Sequence, residues 1–531
     1  VCSSDLETLI SAEDLYNMNI KLTLEEEITN NVTTEIVKNL NNKPRKPFDL
    51  NSEENKKKMD SLLEEYKDII RDDKVGCFKN IPPMSIKLKP NAYLPPKVAT
   101  TKVLPAKWVP EAKKIIEKMI RDGVLTKVKP DEPTKCLFKA FFVPKSHGSD
   151  SLRLVTDMSR LNNIVERPYH PFDSVMDTLR QINSSSKYFI VVDLTSGYYH
   201  VSLDKASRLL LAILLPSCLG VMGGPYYFNR CPQGIACSSD LFNAARSLAL
   251  DGIDYLSLVD DLLIQGNTFD DLLNNFRKLL DRCRKTGIIL SRKKLQFGPK
   301  VTFGGHYISK EGIEPTKDRT KSIESINPPT NVSEVRQFLG LVNQLASFVP
   351  NLSQMTGPIN ELLKKNSAFA WTDIQQKAFE ECKKTLTGPL VLRNFDPNLP
   401  VELHCDASRQ SLGFCLLQRD KKQHPKLINC GSRTLTPAEQ NWEVISLELM
   451  AIVYAINKCK YHLLGQEKIT VYTDHKPLIA LMKKDWLDID NARLRRLREK
   501  LTPYNIDLIH VPGSANAAAD AMSRLNISNR D

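Results

Sequence analysis

The sequence predicts an α/β chain of the multidomain α+β kind, and three observations carry that prediction. Short apolar runs of strand length recur along the chain and several of them end on an aspartate. Amphipathic helices with recognisable capping residues stand between them. The length, 531 residues, exceeds what one core supports and implies roughly three or four domains. The stretch that organises the rest is Leu256-Ser257-Leu258-Val259-Asp260-Asp261-Leu262-Leu263-Ile264. Two adjacent carboxylates between two apolar runs read as a tight hairpin with both aspartates at its tip. Taken alone, an ordinary polar turn competes with any functional reading, because Asp favours turns.

The elements follow in order. Residues 1–75 are acidic and weakly periodic, a linker with one helix whose apolar face is Met59, Leu62, Leu63, Tyr66, Ile69 and Ile70. Six prolines between 81 and 109 imply an extended arm. A helix begins near Pro110 and stops at Gly123. Strands are expected at Leu137–Val143 and Leu152–Thr156, with a turn at His147-Gly148-Ser149, and then at Tyr188–Val192, ending on Asp193. Helices are expected to start at Thr268, Asn331 and Thr372, each with a partner residue three positions on. The first of these ends at Gly287, and its outer face is read as strongly positive, with nine Lys/Arg and one Asp from Arg277 to Lys300. Further on, strands are expected at Val401–Cys405, Gly413–Gln418 and Ile469–Thr473, with a long helix at Val444–Lys458.

Bulk properties bound the class. With 41% hydrophobic and 26% charged residues the composition is that of an ordinary soluble globular protein. No apolar run approaches the ~18 residues of a membrane span. Twelve cysteines without a C-x-x-C pair favour reduced thiols over zinc or disulfides. The net charge of +12 is uneven: residues 1–70 carry 9 Lys+Arg against 15 Asp+Glu, and the rest 65 against 47. A basic body suits a polyanionic partner, although a lysine-rich soluble surface has the same balance. Without a signal pattern or initiator Met, the chain is expected to be a piece of a longer polypeptide.

Three carboxylates, Asp193, Asp260 and Asp261, stand at strand ends. If the strands are neighbours their oxygens converge, and such a cluster repels itself unless cations fill it; two Mg²⁺ ions ~3.5–4 Å apart are the usual answer and suit in-line phosphoryl transfer. Five stretches occur in order: Leu152-Arg153-Leu154-Val155-Thr156-Asp157 with Leu161-Asn162, Val192-Asp193-Leu194-Thr195-Ser196-Gly197-Tyr198, Pro232-Gln233-Gly234, Leu258-Val259-Asp260-Asp261, and Phe303-Gly304-Gly305-His306. On these, residues 81–531 resemble the reverse transcriptase–RNase H segment of a gypsy-type LTR retrotransposon polyprotein.

The resemblance implies a right-hand polymerase followed by a connection and an RNase H-like α/β domain. The implied domains are an acidic linker (1–75), fingers and palm (76–312), thumb (313–365), connection (366–398) and RNase H-like domain (399–531). It makes Asp193, Asp260 and Asp261 the metal triad. Lys145 and Arg153 would hold the incoming triphosphate, a point cation and a fork-shaped one. Tyr198 would be the aromatic gate against a ribose 2′-OH, with a core aromatic as the competing reading. Gln233 and Gly234 would pack on the nucleotide, and Lys294 would supply a proton to pyrophosphate. In the thumb helix, Arg336, Gly340 and Gln344 recur at i, i+4, i+8 and line one face. A mid-helix glycine costs ~1 kcal/mol relative to Ala, so Gly340 is there either for a nucleic-acid backbone or for helix packing.

The tail carries four more carboxylates, Asp406, Glu448, Asp474 and Asp520, in an order that resembles RNase H of the gypsy type. They would cage two further Mg²⁺ ions, with Mn²⁺ as a substitute, and activate water on an RNA phosphate. Selectivity for the RNA strand would rest on 2′-hydroxyl contacts. His475 reads as structural. Arg493, Arg495, Arg496 and Arg498 form a basic helix that either holds the hybrid or is a solvated face.

The implied partners are an RNA template, a DNA primer, RNA–DNA hybrid and dNTPs, with protease and integrase from the same polyprotein and no membrane. The implied location is cytoplasmic, within virus-like particles, with a nuclear phase. One position departs from the family pattern: Leu258 stands where an aromatic, usually Tyr, packs on the primer end. That departure motivates a rival reading, a degenerate or domesticated copy that binds nucleic acid as a scaffold without catalysis.

Overall fold

The computed structural model describes residues 53–101, 103–145, 151–170, 172–364 and 369–512. The His147-Gly148-Ser149 turn and Asp520 lie outside these residues. The chain divides into two compact units. One comprises residues up to Thr178 with Lys187–Gly304, and the other Leu179–Ser186 with residues from Gly305 on.

In the first unit, helix α1 (Glu53–Glu65) is followed by turns to Ile70. The expected linker helix therefore begins earlier and ends earlier than its apolar spacing implied. Met59, Leu62, Leu63, Tyr66, Ile69 and Ile70 are all buried in the same core as the strands that follow. These residues are therefore part of a folded unit and not of a linker. Its acidic side is paired with the basic helix downstream, as described below.

The strands of this unit are β1 (Leu125–Lys127), β2 (Phe138–Pro144), β3 (Leu152–Thr156), β4 (Tyr188–Asp193), β5 (Ala212–Leu215), β6 (Gly224–Phe228), β7 (Leu256–Leu258), β8 (Asp261–Gly266) and β9 (Gln296–Gly298). They form two sheets. One has the order β1-β6-β5-β2-β3 and the other the order β7-β8-β4-β9. β4 lies centrally, and its burial on nearly every residue explains its unbroken apolar run.

Helix α2 (Ser238–Ala249) was not legible from periodicity. It buries Ser238, Asp240, Asn243 and Arg246 beside Leu241, Phe242 and Ala245, so polar residues interrupt the stripe that would reveal it. Helix α3 (Phe269–Thr286) has the expected caps: Thr268 accepts from the Asp271 N–H and Gly287 closes it at φ +77°. Its basic face is largely answered within the chain. Arg277 bonds Glu65 at 2.6 and 2.9 Å, Arg284 bonds Asp68, and the Arg284 guanidinium lies 4.2 Å from the Tyr66 ring centre. The α1 segment thus covers part of the face that the sequence marks as strongly positive.

The second unit holds helix α4 (Val332–Asn343), capped by Asn331, and helix α5 (Asp373–Leu386), which starts with a full capping box of Thr372 and Gln375. A hairpin, His306–Ser309 with Gly312–Pro315, bonds onto the connecting chain: Ile313 and Leu392 exchange backbone hydrogen bonds of 2.7 and 3.0 Å. This exchange puts residues 305–312, expected with fingers and palm, in the second unit. The tail forms a five-stranded sheet from Val401–Ala407, Ser411–Arg419, Pro425–Thr434, Ile469–Thr473 and Ile506–His510. The first three strands are antiparallel, and the first, fourth and fifth run parallel. Helix α6 (Val444–Lys458) covers one face of this sheet. Among the described residues no helix is long and apolar enough to cross a membrane.

Candidate active sites

The first site is built by register. β4 and β8 pair antiparallel with Asp193 opposite Asp261, and β7 pairs β8 with Leu258 opposite Asp261. Only Val259 and Asp260 remain for the turn, a two-residue hairpin loop that needs a left-handed first residue. That residue is Val259 at φ +51°. A β-branched residue there is an outlier, costing on the order of 1–3 kcal/mol.

Asp260 Oδ1 is buried and, among the described residues, has no hydrogen-bond partner. Burial, and then the charges of Asp193 and Asp261, push its carboxyl up to about 7. Lys294 Nζ lies 3.0 Å from Asp193 Oδ2, so this lysine is placed at the acidic centre itself. Asp260 rests on Gly197, where an added Cβ would lie 2.8 Å from Oδ1. The glycine is a steric requirement that local sequence does not announce. Gly197→Ala should therefore displace the carboxylate and lower any reaction at this centre by about 100-fold, the effect of a 1 Å misplacement, as measured by single-nucleotide extension.

The other predicted residues of this unit surround the triad in varied ways. Tyr198 packs at a tilt against Phe242 (5.2 Å between ring centres) and its hydroxyl shares a 3.0 Å hydrogen bond with Ser239 Oγ, with the ring half-buried. It has the contacts of a core aromatic and also an exposed part. Lys145 and Arg153 belong to one hairpin: Val143 is opposite Arg153, and the Lys145 N–H donates to Ser151 O at 2.9 Å. Gln233 and Gly234 lie on an exposed loop before α2, with Gly234 at φ +94°. Asn162 fastens that loop. Its Nδ2 donates to Gly234 O and its Oδ1 accepts from the Ala236 N–H, both at 2.9 Å. No local pattern marks the role of Asn162, because its partners are more than seventy residues away. Leu258 lies over Gly304: a Cβ there would meet Leu258 Cδ1 at 2.5 Å and Val175 Cγ1 at 3.1 Å. An aliphatic side chain thus has a close-fitting apolar seat.

On α4, Arg336 and Gly340 are exposed together with Gln344 just past its end, opposite the buried Val335, Phe338, Leu339 and Val342. Nothing lies within 4 Å of a Cβ added at Gly340. Helix packing in this chain therefore does not require the glycine.

The second site also forms at strand ends. Asp406 stands near the end of the first tail strand, Asp474 one residue past the fourth, and Glu448 on α6. Ligand oxygens of the three lie within 4.8 Å of one another. Glu448 is buried with Oε2 unpartnered among the described residues. Burial, then Asp474 and Asp406, push its carboxyl up to about 8, and Asp406 is raised by burial and by Asp474. Three carboxylates whose oxygens converge, one of them buried and orphaned among the described residues, are donors of the kind that suits a divalent cation.

The basic helix after Asn491 is partly structural. Arg498 donates to the carbonyls of Leu481, Met482 and Lys484, capping the helix Pro477–Lys483. Arg493 lies over the Trp442 ring at 4.2 Å, and Arg495 and Arg496 are exposed. The His475 N–H donates to Thr473 Oγ1 at 3.2 Å, a local turn contact.

Residues 143–308 match the family of reverse transcriptases (RNA-dependent DNA polymerases), and residues 371–471 match the RNase H-like domain found in reverse transcriptase. The chain carries a reverse transcriptase domain and an RNase H-like domain. The Transposon Tf2-3 and Tf2-4 polyproteins of Schizosaccharomyces pombe are each 31% identical over 391 residues, covering 72% of this chain. The chain spans 28% of the length of these curated relatives. Among solved structures, the foamy viral protease-reverse transcriptase in complex with dsDNA superimposes with a TM-score of 0.73 at 23% identity, over 93% of this chain and 99% of that one. The same viral protein in complex with RNA/DNA hybrid gives 0.69 at 23% identity, over 92% of this chain and 64% of that one. The fold is that of a polymerase with an RNase H-like domain.

Proposed function

We propose that this chain is the reverse transcriptase–RNase H segment of a gypsy-type LTR retrotransposon polyprotein. It would synthesise DNA on RNA and DNA templates and cleave the RNA strand of RNA–DNA hybrids. The observation that carries this reading is the pair of acidic centres, each with a buried carboxylate oxygen, at Asp260 and Glu448, that no group among the described residues satisfies.

Asp193, Asp260 and Asp261 would hold the ions of the first centre, and Asp406, Glu448 and Asp474 those of the second. The sequence also assigns Asp520 to the second set; it lies outside the described residues. Bound Mg²⁺ or Mn²⁺ supplies activation of the attacking oxygen and neutralises charge on the phosphoryl group. The chain's own residues do the rest. Asp193 and Asp261 face each other across the β4–β8 pair, so the first centre is rigid. Lys294 holds a proton beside the Asp193 carboxylate, where a leaving pyrophosphate could take it. Lys145 and Arg153 grip the triphosphate from one hairpin, and Tyr198 with the Gln233–Gly234 loop lines the sugar side. Asn162 keeps that loop in place.

Arg336, Gly340 and Gln344 form the proposed thumb contact with the primer–template. Gly340→Ala should raise thermal stability by about 1 kcal/mol, since a helix prefers Ala and the space is open. The same change should weaken primer–template binding, measured by filter retention at fixed salt. A glycine kept only by chance would show the first effect without the second.

The wider setting belongs to the same proposal: protease and integrase as neighbours in the polyprotein, and action in cytoplasmic virus-like particles with a nuclear phase. The decisive experiment offers the chain a primed RNA template with dNTPs and Mg²⁺, and separately a labelled RNA–DNA hybrid. Extended primer and shortened RNA are expected. Hybrid binding with neither product would overturn the catalytic reading.

A further inference from the structure

The hairpin that carries Asp260 and Asp261 is held in a conformation that its own sequence disfavours. Strain such as that of Val259, at φ +51°, persists only where the surroundings over-determine it. The group that meets the strained peptide is Arg246 of α2. Its Nη1 donates to the Val259 carbonyl and its Nη2 to Asn243 Oδ1. The guanidinium lies 5.7 Å from the centre of the Phe242 ring. Arg246 is only 4% exposed, so its charge has left water, which is unfavourable unless fixed partners receive it. An apolar side chain of similar length would fill an interior slot without that desolvation. The position therefore needs donors as well as volume. Phe242 closes the bracket from the other side. Its ring edge lies 3.2 Å from where a Cβ on Gly197 would stand, the same point that is 2.8 Å from Asp260 Oδ1.

We infer that Arg246 is the positioning residue of the catalytic hairpin: it locks the Val259 peptide in the left-handed conformation and thereby fixes where Asp260 and Asp261 point. This inference rests on the polymerase reading of the first centre. Arg246 acts through the turn and not on the nucleotide. Its loss should therefore slow the chemical step while leaving nucleotide affinity alone.

The test compares the chain with Arg246→Met, close in length and without donors, by two readouts. One is amide hydrogen exchange across residues 256–264 in the protein alone; the other is single-nucleotide extension over a range of dNTP. Hairpin exchange should quicken by about tenfold and the maximal extension rate fall by about tenfold, with the dNTP KM unmoved. Val259→Gly removes the strain, so adding it to Arg246→Met should recover most of both losses. Unchanged hairpin exchange in Arg246→Met, or no recovery with Val259→Gly, overturns the assignment. Should Arg246→Met not fold, Asn243→Ala loosens the same guanidinium from a neighbouring position. It should quicken hairpin exchange in the same direction, and unchanged exchange there also overturns the assignment. Absence of extension in the unaltered chain would overturn the polymerase reading instead, while the exchange measurement still decides the role of Arg246.

Discussion

Asp260→Asn is expected to abolish primer extension, by at least ~100- to 1,000-fold, the usual result of deleting one element of preorganised charge at a reacting phosphate. Cleavage of RNA–DNA hybrid should persist, because Asp406, Glu448 and Asp474 belong to the other unit of the chain. The same substitution should stabilise the metal-free fold, and the sign follows from the direction of the shift. The Asp260 carboxyl is raised from 3.8 to about 7 in the folded chain. The stability it contributes is fully present below the unfolded value and is lost as pH rises through about 7. In chelator, the chain should thus melt at a lower temperature at pH 8 than at pH 5, and Asp260→Asn should reduce that difference. Thermal melts at the two pH values, with and without Mg²⁺, read it directly. Adding Mg²⁺ should raise the melting temperature of the unaltered chain more than that of the variant, by mass action on a site present only in the folded state. Equal stabilisation of both would remove the first acidic centre as the ion's binding place.

Glu448→Gln is the mirror experiment. Gln keeps the size and removes the charge of a buried side chain whose Oε2 lacks a partner among the described residues. Hybrid cleavage should fall by ~100-fold or more while primer extension continues, followed on one labelled substrate that reports both products. Burial and two neighbouring acids hold the Glu448 carboxyl up at about 8, so its metal-free stability contribution also declines as pH rises through that value. Loss of extension together with cleavage would refute two separate centres.

How much of this was legible beforehand depends on how local each signal is. Strand ends, caps and hairpins are local. Thr268, Asn331 and Thr372 were readable because a cap and its partner lie three or four residues apart. Helix α2 was not, because its core face carries Ser238, Asp240, Asn243 and Arg246 and so lacks an apolar stripe. The α1 segment misled in a different way: an acidic, lysine-rich composition reads as linker. Its acids instead pair with Arg277 and Arg284, over two hundred residues on.

The sequence by itself determined the class of chemistry: six carboxylates among the described residues, set at strand ends and on one helix, in an order that leaves little freedom in what they do. It also determined the elements that carry them, since periodicity and capping act over a single turn or strand. Only the tertiary structure decided which groups make those carboxylates usable. Gly197 is needed because Asp260 occupies the volume of a Cβ, Asn162 because a loop some seventy residues away hangs from its amide, and Arg246 because a strained peptide turns its carbonyl inward. Steric exclusion and hydrogen bonds between distant segments have no period along a chain, so only the folded molecule displays them.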